Sequence, residues 1–176
     1  MDLRKLFGIS TAKATDNSEL GKLFSGIESI VSSSDEGEIK RITSVAGLLG
    51  KVAYADMNIS EVEQQHIRQV LETHLHLSSQ AAHKILKLLG EHRAQLYSIE
   101  DFIYLRMVNT LFDKEEKLRL LSTLFTIAAA DNSVSAAEDA VLWSIAKGLK
   151  LSHREFVSVR AEFKDQLDVL KSQDQH

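Results

Sequence analysis

The chain is 176 residues long with a formal net charge of -4, no proline, no cysteine and only eight glycines. Its length suits one domain burying about two thirds of the surface of its extended chain. The missing cysteines exclude a disulfide scaffold, a thiolate zinc site and a cysteine nucleophile. The acidic balance provides no general attraction to nucleic acid, so no nucleic-acid partner is expected. No run of about 18 apolar residues is present to cross a bilayer, and the N-terminus lacks the apolar centre of a signal peptide, which points to a cytoplasmic protein. With helix breakers scarce and Ala, Leu, Glu, Lys and Gln abundant, the predicted class is all-α.

Residues Met1 to Phe7 set Leu3, Leu6 and Phe7 against Arg4 and Lys5 in a short amphipathic turn. Two targets suit its apolar side, the domain itself or a membrane surface, the latter placing the protein peripherally at the inner face of the membrane. The first is the simpler, because one small apolar face anchors poorly without a second signal. Residues 1–17 are read as an N-terminal segment, with 18–170 a single helical domain and 171–176 a tail.

A helix is predicted from Ser18 to about Val31, where Leu20, Leu23, Phe24, Ile27, Ile30 and Val31 recur at helical spacing. The next starts near Asp35 and carries Ile39, Ile42, Ala46, Leu49 and Ala53 on one stripe. Ser60 with Glu63 then forms an S-x-x-E capping box, in which each side chain satisfies an orphan N–H of the first turn. Ser135 with Glu138 and Ser152 with Glu155 repeat that signature, and Ser98 with Asp101 gives a weaker version. A break near Leu77 precedes a helix from Ser79 to about His92. The segment Ile99 to Phe112 is apolar on several faces and is predicted to lie centrally, between two halves of the domain. Asp113 caps a helix running to Ala130, whose first turn holds Glu115 and Glu116. A helix follows from Ala136 to Gly148, with Gly148 as its C-cap, and the last helix is predicted from His153 to about Leu170.

One stretch occurs twice. Ala53-Tyr54-Ala55-Asp56-Met57-Asn58-Ile59-Ser60-Glu61-Val62-Glu63 is answered 75 residues later by Ala128-Ala129-Ala130-Asp131-Asn132-Ser133-Val134-Ser135-Ala136-Ala137-Glu138. Apolar positions hold the same register on either side, so an internal repeat of about 44–89 and 117–163 is expected, in a bundle of seven or eight helices with approximate twofold symmetry. Each copy brings an aspartate to one helix end and a glutamate to the start of the next. The glutamates fall four residues before Ile67 and Leu142, along the buried stripe.

Two readings of these carboxylates stand side by side. In the first, the glutamates close capping boxes and the aspartates lie near positive helix N-termini. In the second, Asp56, Glu63, Asp131 and Glu138 line a site for a hard divalent cation, calcium, magnesium or manganese, since oxygen-only ligands suit these ions. An EF-hand is excluded by spacing. The twelfth loop position, where a bidentate glutamate belongs, is Ile67 in one copy and Leu142 in the other.

Over roughly Ser44 to Phe163 the chain resembles the TerB-like proteins, bacterial tellurite-resistance and stress-response proteins whose fold also forms the N-terminal domain of a membrane-bound DnaJ-type co-chaperone. The residues that carry the resemblance are Ala55-Asp56, Ile59, Ser60 and Glu63, and Ala130-Asp131, Val134, Ser135 and Glu138. The family pattern has glycine after the aspartate, where this chain has Met57 and Asn132. Asparagine tolerates the left-handed backbone that glycine would supply, methionine does not readily, and Asn58 stands next to take over that turn. The resemblance implies an all-helical bundle with internal pseudo-twofold symmetry and a metal-linked, non-enzymatic role.

Two functions follow as expectations. One is a cytoplasmic stress-response binding protein of the tellurite-resistance kind, acting through protein partners and a divalent ion. The alternative is an interaction scaffold or co-chaperone-like module whose acidic loops are structural. No nucleophile motif, phosphate loop or catalytic pair is legible, so an enzyme is not expected. Histidines 66, 74, 76, 83 and 92 read as scattered surface residues, and Trp143 reads as core at the edge of the buried stripe.

Overall fold

The computed structural model describes residues 19–31, 35–55, 59–92 and 101–167. Among these residues eight α-helices follow one another: α1 (Glu19–Val31), α2 (Glu36–Ala53), α3 (Glu61–His74), α4 (Ser79–Glu91), α5 (Asp101–Leu111), α6 (Lys114–Ala128), α7 (Ala136–Gly148) and α8 (His153–Ala161). A 3-10 turn, Lys164–Gln166, follows α8. The all-α bundle expected from composition is therefore the observed architecture. The amphipathic segment at residues 1–7 and the weaker cap at Ser98 lie outside the described residues.

Helix starts sit where the capping grammar puts them. Ser60, Asp113, Ser135 and Ser152 each close a complete capping box with Glu63, Glu116, Glu138 and Glu155. Asp35 and Ser78 cap α2 and α4 with their side chains alone. The break after α3 is made by His76 at φ 54°, a left-handed residue that turns the chain into α4.

The most enclosed helix is α2. Every residue from Ile42 to Gly50 is buried, because α2 packs against α1, α3, α4, α5, α6 and α7. The sequence marks only one apolar stripe here. Neighbours close over the remaining faces because Ser44, Gly47 and Gly50 are small. Helix α5, predicted to be central, lies against α2 and also touches α7; its Arg106 and Thr110 remain exposed.

Two glycines permit that arrangement. A Cβ at Gly47 would run into the ring of Tyr104, which is fully buried, and one at Gly148 would run into the side chain of Leu105. Gly148 is thus not the left-handed cap its position suggests. It is the last residue of α7, and the left-handed residue after it is Lys150 at φ 63°. The backbone of α7 approaches α5 closely enough for Asn109 Nδ2 to donate to the Gly148 carbonyl at 2.8 Å.

The last helix is shorter than its apolar spacing predicts. It ends at Ala161, and the chain turns so that Phe163 stacks on Phe125, centroids 5.3 Å apart. Leu167 then enters an extended conformation, buried, in a parallel bridge with Val134. The Val134 N–H donates to the Gln166 carbonyl at 2.7 Å. Leaving the helix satisfies a buried backbone donor of the loop before α7, which a continuous helix could not do.

Gly47→Ala checks the close approach. Alanine favours helix by about 1 kcal/mol over glycine in an exposed position, yet here overpacking against Tyr104 should lower unfolding stability by about 1–3 kcal/mol in urea titrations. A variant as stable as the wild type would contradict the packing described.

Candidate functional site

The two acidic loops join α2 to α3 and α6 to α7. In both, the serine and glutamate hold each other across the first helical turn. Glu63 Oε2 accepts from the Ser60 N–H at 2.6 Å, and Ser60 Oγ accepts from the Glu63 N–H at 3.1 Å. The second copy repeats these bonds at 2.8 and 3.2 Å between Ser135 and Glu138. Both glutamates are 5% exposed, as their place on the inward stripe predicts. A carboxylate so enclosed is tolerated because helix N–H groups face it and the positive end of the helix dipole favours its charge.

Of the four carboxylates singled out in the sequence, the structure describes Glu63, Asp131 and Glu138; Asp56 lies outside the described residues. Asp131 is exposed. Its Oδ1 accepts from the Ser133 N–H at 3.0 Å, a turn in which the side chain copies a backbone carbonyl. Asn132 takes φ 65°, so asparagine does occupy the left-handed position next to the aspartate. Met57, its counterpart, lies outside the described residues. Among the described residues no group of three or more His, Cys, Asp and Glu side chains is gathered as a metal-holding cluster.

The copies are not equivalent in their surroundings. The second loop is tied down by the bridge from Val134 to Leu167, and the residue after Glu138 adds a further anchor. Asp139 receives Arg160 through two bonds, Nε to Oδ1 at 2.8 Å and Nη2 to Oδ2 at 2.9 Å. Asp139 raises the pKa of the Arg160 guanidinium through these hydrogen bonds, locking the first turn of α7 to the end of α8. The first copy has Gln64 at the corresponding place. Asp139 was not singled out in the sequence; its partner lies 21 residues away on another helix, and local spacing carries no sign of it.

The third S-x-x-E box shows how a carboxylate behaves with an added cation. Glu155 Oε2 accepts from the N–H and hydroxyl of Ser152, both at 2.8 Å, while Lys114 approaches Oε1 at 2.5 Å. The Lys114 hydrogen bond, followed by those from Ser152, lowers the Glu155 pKa to about 2. Among the remaining sequence candidates, His66 and Trp143 have defined surroundings. His66 Nδ1 lies 2.9 Å from the Val62 carbonyl of its own helix. Trp143 packs at the core margin on Phe156, centroids 4.8 Å apart, with the His153 ring edge-on at 5.2 Å.

A family model described as tellurite resistance protein TerB matches residues 42–161, about two thirds of the chain and both acidic loops. No curated protein matches the chain, and no solved structure does. No helix among the described residues is long and apolar enough to cross a membrane.

The Glu155 carboxyl offers a direct check of the capping geometry. Its folded pKa is depressed, so the stability it contributes is present above the ordinary value of 4.5 and is lost as pH falls towards about 2. Carboxyl-carbon NMR should place its midpoint near 2, and Lys114→Met should move that midpoint upward. A midpoint near 4.5 in the folded wild type would contradict the geometry.

Proposed function

The chain belongs to the tellurite resistance protein TerB family, and on that premise we propose that it is a non-enzymatic stress-response binding protein that acts through partner proteins. The observation that carries this reading is the commitment of Glu63 and Glu138 to their own helix caps, both almost fully buried. Groups that hold the fold in this way are poorly suited to shuttle protons or attack a substrate. A rigid bundle with capped helix ends suits instead the presentation of a surface to another protein.

A second reading, that the loops also take calcium, magnesium or manganese, has its own support. A carboxylate offers about four acceptor sites, so a capping glutamate can cap and coordinate at once. Glu63, Glu138 and Asp131 are oxygen donors of the kind hard cations select, with Asp56 the fourth of the set. In this reading the ion offsets carboxylate repulsion within the folded state.

Affinity capture from the native cell, with chelator and with each ion, together with melting of the pure protein, separates the two. If partners alone carry function, the same proteins are recovered under every condition and the melting temperature is unmoved. If the loops bind an ion, a hundredfold excess over its Kd should stabilise the fold by about 2.7 kcal/mol. Asp56→Asn and Asp131→Asn should then each weaken that rise without unfolding the helices. An absence of any specific partner under all conditions would contradict the first reading, and identical melting of wild type and both variants would remove the second.

A further inference from the structure

Away from the acidic loops, a cleft of about 190 Å3 opens between α2, α3 and α6, where α5 gives way to α6. Its wall is apolar, with Val45, Val70 and Leu120 all at least nine-tenths buried and Phe112 beside them. Its rim carries two guanidiniums, Arg41 and Arg119, against one carboxylate, Glu116, with the His74 imidazole beside them. In a chain of net charge -4 that local balance runs against the whole.

Glu116 offsets only one of the two. Its Oε1 accepts from both terminal nitrogens of Arg41 at 3.2 Å, and its Oε2 accepts from the Asp113 N–H at 2.8 Å as part of the cap of α6. Arg41 also donates to the Leu111 carbonyl at 3.4 Å and lies 4.2 Å over the Phe112 ring. It is held rigidly, yet these bonds use only three of the five N–H donors of a guanidinium. Arg119 is 59% exposed and pairs with Glu115 one turn away on its own helix at 2.6 Å. A surface pairing of that kind yields to a competing carboxylate at little cost.

We propose that this cleft binds a small amphipathic carboxylate, its aromatic or branched aliphatic body against Val45, Val70 and Leu120 and its charge on Arg119 and Arg41. A cavity of about 150 Å3 accepts benzene, so this one takes a body of benzoate size. The cleft is separate from the acidic loops, and the proposal stands or falls independently of the function proposed for them.

The test is titration of the 15N-labelled full chain with benzoate, with benzamide as its neutral isostere, and with acetate, which lacks the apolar body. Benzoate should shift the amide signals around Val45, Val70 and Leu120 with a midpoint that is roughly millimolar, the range open to so small a ligand. Loss of the charge-assisted contact should make benzamide about tenfold weaker, and acetate should leave these signals in place. Arg119→Gln should weaken benzoate towards the level of benzamide and leave benzamide unchanged. Thr123→Phe, at a half-buried rim position, should abolish both while circular dichroism stays that of the wild type. Benzoate and benzamide titrating alike, benzoate indifferent to Arg119→Gln, or signals at the cleft unmoved by benzoate would overturn the proposal.

Discussion

The contact between Tyr104 and Gly47 is the one on which the rest of the bundle depends. A fully buried ring occupies the volume a side chain at position 47 would fill, which lets α5 lie directly on the backbone of α2. Leu105, the next residue, does the same against Gly148 at the end of α7. One short helix thereby fixes α2, which leads into the first acidic loop, relative to α7, which leaves the second. Interiors are packed densely enough that moving α5 by the width of a methyl group would be felt at both.

From that frame the charged groups take their places. Glu63, Glu138, Glu116 and Glu155 all perform the same local task, holding the N–H of the residue that opens their helix. Their surroundings then divide them. The first two are buried. Glu116 is recruited by Arg41 from α2, and Glu155 by Lys114 from α6. The same short motif thus serves as a buried cap in the acidic loops and as an anchor between helices elsewhere. Membership of the TerB family, whose match spans both loops, gives the buried pair its interest, since the family match and the paired geometry coincide there.

What was legible in the sequence is what is encoded locally. Ser60, Asp113, Ser135 and Ser152 open helices where capping chemistry places them, and the inward facing of Glu63 and Glu138 follows from their spacing to Ile67 and Leu142. The left-handed Asn132 follows from the tolerance of asparagine for that backbone. What was not legible depends on a partner distant in the chain. Gly148 carries the signature of a helix stop, yet its role is set by Leu105. Phe163 and Leu167 continue a helical stripe in sequence, but the chain leaves the helix to stack on Phe125 and to give the Val134 N–H its acceptor, the Gln166 carbonyl. The enclosure of α2 was hidden for the same reason, because small residues record close approach without naming what approaches. The cleft at Arg41 joins α2 to α6 across 75 residues, and no local pattern announces it.

Native-state hydrogen exchange of the backbone amides under increasing denaturant tests most directly whether α5 unites α2 and α7. If it does, the slowest amides of α2 and α7 should converge on a single opening free energy and respond to denaturant with the same slope, because neither helix can open without releasing α5. Two separate isotherms, with α7 opening at lower free energy while α2 stays protected, would contradict the account.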